Sequence, residues 1–246
     1  MSIPKIIHYC WFGGGPISAE SQKCMESWKK YCPDYKIIEW NDQNFDISTN
    51  RYAQQAYEAK RYAFVSDYVR LAVLYEYGGI YLDTDVELVR PLDELLELPG
   101  FMGFQTNNEV ATGLGFGARK GNSVVQALLR DYDALDFLKA DGSADLTPCP
   151  ERNTRVLQAL GVRKDGTRQS IAEMEIFPAE YFCPMDLYSR KLRVTPKTYS
   201  IHRYAESWKP KPSAVSRILQ RLLKKHYYTW YCPLRGRIEG RLRKRT

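Results

Sequence analysis

One short segment, residues 78–85 (GGIYLDTD), constrains the fold of this 246-residue chain more than any other. Two glycines end a helical pattern, a short apolar run predicts a buried strand, and Asp83 and Asp85 close it. In an extended backbone alternate side chains share a face, so both carboxylates can reach one hard divalent cation. A strand that ends in two such acids predicts an enzyme with a metal site.

The helical pattern that precedes this strand carries a second polar pair. Apolar residues recur at helical spacing across residues 61–77, and Asp67 and Arg70 lie three positions apart within them. Residues at this spacing share one face of a helix. Because a guanidinium fork binds phosphate and hydroxyl groups well, the helix and the acidic pair together suit a nucleotide diphosphate.

The first forty residues predict a nucleotide-binding type of β-α-β unit. Residues 3–12 are expected to form a buried strand, followed by a Gly-rich loop, a helix capped by Ser18, and a second strand at residues 35–40. The glycine spacing is not G-x-G-x-x-G, so the dinucleotide fingerprint is absent. Further strands are expected at residues 101–104, 113–117 and 200–202, and further helices at residues 123–132 and 152–160. The glycines at residues 113–117 indicate a close approach of another backbone or of a ligand.

The positive net charge of the chain, +7, comes from one end of it. Residues 209–246 contain twelve Lys or Arg and one acid, whereas the first 208 residues contain 24 basic and 28 acidic side chains. Without a basic folded face and a matching motif, no nucleic-acid partner is expected. The six cysteines show neither C-x-x-C nor zinc spacing, which favours free thiols. The chain shows no apolar run of about 18 residues and no signal-peptide pattern, so a cytoplasmic location is expected.

Several separated motifs together resemble the DXD-containing glycosyltransferases of family 32. They are residues 3–8 with 11–13, residues 66–70 and residues 78–85, and residues 201–208 resemble the closing His-plus-Ser-Trp motif. The family includes bacterial capsular polysaccharide transferases and fungal initiating mannosyltransferases, and the clostridial glucosylating toxins share its core. The resemblance implies an α/β fold of GT-A type. A single Rossmann-like domain, with a mixed central sheet flanked by helices, would span residues 1–208, and a basic amphipathic helical tail would span residues 209–246.

The resemblance also implies roles for individual residues. Asp83, Asp85 and His202 would bind Mn²⁺ or Mg²⁺, and Asp67 and Arg70 would bind the hydroxyls and phosphate of a nucleotide-sugar donor. A UDP-hexose is the expected donor, and GDP-mannose stays open. The remaining expected donor contacts are His8, Trp11, Phe12, Tyr81, Thr84, Asn107, Asn108, Ser207 and Trp208.

Some of these residues have a structural alternative. His8 lies within a strand, where a packed, hydrogen-bonded histidine is common, and Trp11 suits a plain core position equally well. Glu109 could face the anomeric carbon from a polar loop, but a solvated turn explains that loop as well. The D-x-D pattern also occurs in haloacid-dehalogenase phosphatases, but those have Thr or Val where this chain has Glu87.

The basic tail predicts contact with a membrane. Apolar residues recur at helical spacing across residues 215–223 with basic residues opposite, and an aromatic cluster at residues 227–231 precedes a basic run. This order suits the headgroup layer of an anionic membrane. The alternative is that the apolar stripe docks on the catalytic body.

The leading expectation is therefore a metal-dependent retaining hexosyltransferase that is peripheral on the inner face of the plasma membrane. Its acceptor would be a glycan on a polyprenyl-diphosphate carrier, as in bacterial capsule or O-antigen synthesis. Two alternatives stay open. One is a toxin-like transferase that modifies a protein, and the other is a membrane- or nucleic-acid-binding module on a degenerate enzyme fold.

Overall fold

The structure is a computed structural model that describes residues 2–187 and 189–205. The tail at residues 209–246 and two of the expected donor contacts, Ser207 and Trp208, lie outside the described residues. The α-helices are α1 (Ala19–Tyr31), α2 (Arg51–Glu58), α3 (Tyr62–Tyr77), α4 (Ser123–Asp133), α5 (Cys149–Ala159) and α6 (Ala179–Phe182). The strands are β1 (Ile6–Cys10), β2 (Lys36–Trp40), β3 (Gly79–Tyr81), β4 (Val86–Leu88), β5 (Gly100–Phe104), β6 (Val110–Ala111), β7 (Phe116–Ala118), β8 (Gln169–Ile171), β9 (Met174–Phe177) and β10 (Ser200–His202). Two short 3₁₀ helices lie at Ile47–Thr49 and Asp93–Leu95.

A mixed sheet forms the centre of the fold. Within the described residues its strand order is β2-β1-β3-β7-β5-β9-β8, and β6 pairs with β5. Strand β1 is parallel to both β2 and β3, whereas β7 is antiparallel to β3 and β5. Helices flank this sheet, and buried apolar side chains form two core clusters. The prediction of an α/β fold with a mixed central sheet flanked by helices is confirmed.

The first β-α-β unit forms as its local sequence indicates. The Ser18 side chain accepts a hydrogen bond from the Ser21 backbone N–H at the start of α1, and Lys29 and Lys30 lie in the last turn. These charges complement the partial negative charge of the helix end. The parallel β1–β2 register then pairs Cys10 with Trp40 at the carboxyl ends of both strands.

Helix α3 and strand β3 bring the acidic motif to the middle of the sheet. The helix ends at Gly78, whose positive φ of 66° is a backbone conformation that favours glycine. Strand β3 is fully buried between β1 and β7, so its carboxyl end is a fixed point of the fold. A second, two-stranded sheet of β4 and β10 lies just beyond it and pairs Val86 with His202.

The local conformation of the acidic motif differs from the prediction. Asp83 and Asp85 do not extend β3; they lie in a turn between β3 and β4, in which the Val86 N–H donates to the Asp83 carbonyl at 3.0 Å. Residues 113–115 likewise precede β7, because Gly115 has a φ of +118° that interrupts an extended strand. The sequence patterns also did not predict α2, α6, β4, β6, β8 or β9.

Two other expectations concern thiols and membrane spans. The cysteines in the described part, Cys10, Cys24, Cys32, Cys149 and Cys183, are all free and buried, which confirms the prediction for these five. None of the helices among the described residues combines the length and the hydropathy of a bilayer span.

Candidate active site

Three potential metal ligands converge beyond the end of β3. One ligand atom from each of Asp83, Asp85 and His202 lies within 4.8 Å of the other two. The two acids come from the β3–β4 turn, and the histidine comes from β10, which pairs with β4. Two carboxylates and an imidazole form a donor set that fits a divalent cation.

A buried polar atom also supports the fit of this group to a metal. His202 Nε2 lies 3.3 Å from Asp85 Oδ1, but His202 Nδ1 is buried and has no hydrogen-bond partner within the described residues. A buried polar atom without a partner costs free energy, so such an atom indicates a missing partner. Residues 83, 85 and 202 could therefore hold the predicted cation.

The charges of this group are arranged as an ion pair. Burial alone would raise the pKa of Asp85, but the His202 charge and the Ala205 N–H, which donates to Asp85 Oδ2 at 2.7 Å, lower it to about 2. Burial lowers the pKa of His202, but the neighbouring Asp85 outweighs that effect and raises it above its ordinary value. Asp85 is thus ionised at neutral pH and ready to bind a cation.

Arg70 joins helix α3 to the acidic turn. Its Nη2 donates to Asp83 Oδ1 at 2.9 Å, and its Nη1 lies 3.0 Å from Asp67 Oδ1, one helical turn earlier. The Tyr81 hydroxyl donates to the same Asp83 oxygen at 3.0 Å, and the guanidinium lies 4.9 Å from the centre of the Tyr81 ring. Arg70 and Tyr81 therefore fix the orientation of the Asp83 carboxylate.

The environment of Asp67 differs from that of Asp85. Burial raises the pKa of Asp67 to about 6, against the opposing effect of the Arg70 charge. Asp67 lies on the same face of α3 as Arg70, as the spacing predicted, and both side chains are almost fully buried. The pair is therefore buried beside Asp83 rather than on an exposed helix face.

Sequence reasoning missed a polar layer behind Arg70. Arg70 Nη1 donates to Thr112 Oγ1 at 3.4 Å and to Cys149 Sγ at 3.5 Å. Asn153 Nδ2 donates to the same two atoms, at 3.1 and 3.2 Å. Residues 148–153 had no assigned role, because a Cys and an Asn at the start of a helix carry no distinctive spacing signal.

The side chain of His8 is held inside the fold. It is fully buried, Trp40 Nε1 donates to its Nδ1 at 3.0 Å, and its Nε2 lies 2.9 Å from the Gly78 carbonyl oxygen. The first contact requires an unprotonated Nδ1, so Nε2 carries the proton and donates to Gly78. Burial lowers the pKa of His8 to about 4. Both ring nitrogens are used inside the fold, as in the packed, hydrogen-bonded alternative, and the nucleotide contact stays a prediction.

Other expected donor contacts lie at different depths. Trp11 follows β1, is half-buried, and donates its Nε1 hydrogen to the Gly15 carbonyl at 2.6 Å. Phe12 is buried in the core, and Tyr81 is 1% exposed. Tyr81 contacts Asp83 and Arg70, as described above. Thr84 lies half-buried at the centre of the acidic turn.

The polar loop between β5 and β6 is held by its own hydrogen bonds. Glu109 Oε2 accepts from Asn107 Nδ2 at 2.9 Å, and Glu109 Oε1 accepts from Lys164 Nζ at 3.1 Å. Asn108 has a positive φ of 61°, and its side chain lies against Gly166. The Glu109 carboxylate is paired in this arrangement, and it does not point freely toward a sugar.

The fold and this site define an α/β protein with a DXD-type acidic turn at the end of an inner strand. Residues 18–101 match the family model described as a glycosyltransferase sugar-binding region containing a DXD motif. The matched segment runs from the cap of α1 through α3 to the start of β5, and it includes Asp67, Arg70, Asp83 and Asp85.

Two curated proteins and one solved structure, all named as glycosyltransferases or mannosyltransferases, are similar to this chain. The chain is 30% identical over 151 residues to inositol phosphoceramide mannosyltransferase 3 of Schizosaccharomyces pombe, covering 55% of this chain and 39% of that protein. It is 26% identical over 219 residues to an uncharacterized glycosyltransferase, L373, of Acanthamoeba polyphaga mimivirus, covering 85% and 84%. A solved structure, PaToxG glycosyltransferase, aligns with a TM-score of 0.48 and 21% identity over 64% of this chain and 70% of that chain.

Residues 18–101 thus match the DXD-containing sugar-binding region of glycosyltransferases, and the two relatives carry glycosyltransferase names, which supports the prediction of an enzyme of that class. The chain spans 39% of the length of the fission-yeast relative. The closer prediction of a family 32 capsular enzyme stays a prediction.

Proposed function

We propose that this chain is a metal-dependent, retaining glycosyltransferase that transfers a hexose from a nucleotide sugar to a lipid-linked glycan. The observation that carries the proposal is the convergence of Asp83, Asp85 and His202 beside the Asp67–Arg70 pair. A cation site next to a buried guanidinium is the arrangement that a leaving nucleotide diphosphate requires.

A metal bound at residues 83, 85 and 202 would supply neutralisation of the charge on the departing diphosphate. Two hard carboxylate oxygens suit either Mg²⁺ or Mn²⁺, and the imidazole of His202 favours the transition metal, Mn²⁺. Arg70 adds a fixed positive charge and hydrogen-bond donors beside Asp83.

The mechanism that fits these residues has no enzyme nucleophile. Retaining glycosidases use a carboxylate close to the anomeric carbon. Here Asp67 and Asp83 are bound to Arg70, Asp85 is paired with His202, and Glu109 is bound to Lys164. We therefore favour attack of the acceptor on the same face as the leaving group, with a phosphate oxygen taking the acceptor proton.

Two donors are tested first. A UDP-hexose, glucose or galactose, follows from the likeness to compact bacterial transferases. GDP-mannose is the second candidate, because several relatives carry the name mannosyltransferase.

The deciding experiment measures thermal stability and donor hydrolysis of the full chain with UDP-glucose, UDP-galactose and GDP-mannose, each with and without Mn²⁺. A ligand that binds the folded state raises the melting temperature. We expect one donor to do so only with Mn²⁺ and to be slowly hydrolysed. If no nucleotide sugar stabilises the protein or is hydrolysed, a binding module on a degenerate fold becomes the better account.

The acceptor proposal rests on the composition of residues 209–246. Twelve basic residues and an amphipathic pattern suit the inner face of a bacterial plasma membrane, where polyprenyl-diphosphate glycans for capsule or O-antigen are assembled. Removing the tail should abolish binding to anionic liposomes and preserve donor hydrolysis. Transfer to a purified protein in place of a lipid-linked glycan would instead favour the toxin-like alternative.

A further inference from the structure

Two short segments on either side of residue 188 pair with each other near β10, the strand that carries His202. Leu192 bridges antiparallel to Met185. The Arg193 N–H donates to the Pro184 carbonyl at 3.0 Å, and the Asp186 N–H donates to the Lys191 carbonyl at 3.0 Å. We call the described residues of this segment, 184–187 and 189–194, the 184–194 hairpin.

The returning arm of the 184–194 hairpin exposes aliphatic surface. Leu192 is 40% exposed and Val194 is 52% exposed, and they are two of the four large apolar side chains noted as exposed in the described part of the chain. They lie two positions apart on this arm, at and just after the bridge to Met185. The other two, Tyr77 and Leu160, lie at the ends of different helices. The hairpin therefore carries a paired apolar feature rather than a single exposed residue.

Basic residues alternate with this apolar pair. Lys191 and Arg193 are exposed on the same arm, and the sequence of residues 184–194 contains three basic residues and one acid, Asp186. Aliphatic side chains bordered by Lys and Arg match the boundary between headgroups and acyl chains of an anionic bilayer. The positive charges of Lys191 and Arg193 are complementary to the negative charge of lipid phosphates.

The position of the hairpin in the fold agrees with a membrane contact. Arg190 donates to the carbonyl oxygens of Arg203 and Tyr204, at 3.4 and 3.3 Å, just before Ala205, the last described residue. The sequence that follows carries the twelve basic residues of positions 209–246. The hairpin thus lies where the chain passes from the folded body to its basic end.

We infer that the 184–194 hairpin is a membrane-contact surface that inserts Leu192 and Val194 at an anionic lipid surface, with Lys191 and Arg193 beside the phosphates. The contact would orient the Asp85–His202 group with respect to a lipid-linked acceptor, because Ala205 is hydrogen-bonded to Asp85. The inference adds a folded surface to the proposed tail association. Its test does not depend on the transfer reaction.

The test compares single tryptophan substitutions in the full chain. Leu192→Trp is mixed with vesicles of 70% phosphatidylcholine and 30% phosphatidylglycerol, with and without lipids brominated on their acyl chains. Leu160→Trp is the matched control, because Leu160 is 45% exposed at the end of α5. We expect a blue shift and bromolipid quenching that exceed those of the wild type for Leu192→Trp and not for Leu160→Trp. Equal spectra for the two variants would overturn the inference, whether or not the tail holds the protein on the vesicle.

A second arm measures how much the hairpin contributes to binding. Leu192→Ser with Val194→Ser should weaken partitioning to the same vesicles by about tenfold, since partial burial of two aliphatic side chains is lost. Lys191→Glu with Arg193→Glu should weaken partitioning to anionic vesicles and leave pure phosphatidylcholine vesicles unaffected. Melting temperatures and donor hydrolysis serve as folding controls. Leu160→Ser is the matched control. If the two double variants bind anionic vesicles as strongly as this control does, the inference is contradicted.

Discussion

Gly113 lies directly against the carboxylate of Asp83. A Cβ atom at residue 113 would overlap Asp83 Oδ2, and the Asp83 N–H donates to the Gly113 carbonyl at 3.2 Å. Backbone at residue 113 thus forms one wall of the acidic turn. The absence of a side chain at Gly113 leaves the space in which the Asp83 carboxylate lies while it accepts a hydrogen bond from Arg70.

This relationship predicts the effect of Gly113→Ala. The added methyl group should displace the Asp83 side chain, weaken Mn²⁺ binding, and lower donor hydrolysis by about tenfold or more, because both ligand geometry and the Arg70 contact change. Melting curves with and without Mn²⁺ would measure this. An unchanged Mn²⁺-dependent shift in melting temperature would show that Asp83 is not held by this wall.

A matched pair of variants, Asp85→Asn and Glu87→Gln, tests which of two nearby acids is a metal ligand. Asp85→Asn should remove Mn²⁺-dependent stabilisation and reduce hydrolysis by about a hundredfold or more, because a charged ligand is lost. Glu87→Gln is the control: Glu87 lies two residues further along β4 and pairs with Arg203 instead of the metal group. Isothermal titration with Mn²⁺ would compare them, and equal affinities would exclude Asp85 as a ligand.

Arg70→Lys tests whether the guanidinium fork is needed. A lysine carries the charge but cannot contact Asp67 and Asp83 as two parallel donors, so kcat/KM should fall by about a hundredfold. Leaving buried carboxylates imperfectly paired should also lower the free energy of unfolding by about 3 kcal/mol. Kinetics together with urea denaturation would measure both effects. Arg168→Lys, at an exposed pair with Glu175, should change neither quantity, and full activity of Arg70→Lys would contradict the assigned role.

The pH dependence of stability should report on His8. Its pKa is lowered from 6.5 to about 4 by burial, so below pH 6.5 the unfolded chain binds a proton that the folded chain does not. The folded state should therefore lose stability as the pH falls from 6.5 to 4, by on the order of 3 kcal/mol, and the loss should level off below pH 4. His8→Gln should lack this component. Urea denaturation at several pH values would test it, and parallel curves for both proteins would contradict it.

The sequence predicted the elements whose signals are local. Ser18, the glycines at 78–79 and the apolar pattern of α3 each act within a few residues, and the structure has those boundaries within one or two positions. The short strands β8 and β9 were missed because three or four residues carry too little periodicity. The pairing of these strands depends on distant partners, which no local pattern specifies.

In the candidate site too, residues placed by local geometry were predictable, and residues brought together by distant segments were not. The Asp67–Arg70 spacing and the D-x-D pair were readable because helical and short-range geometry fixes them. The layer of Thr112, Cys149 and Asn153 behind Arg70 was not readable, because three separate chain segments meet there. His8 and Glu109 were expected at the donor, but their partners, Trp40 and Lys164, come from remote parts of the sequence.

The three candidate ligands span the joint between the two sheets of the fold. Asp83 follows β3 of the central sheet, whereas Asp85 precedes β4 and His202 belongs to β10 of the two-stranded sheet. An ion held by all three would act as a cross-link between these layers. Detachment of the smaller sheet would then require release of the ion, so amide exchange in β4 and β10 would slow in step with metal occupancy.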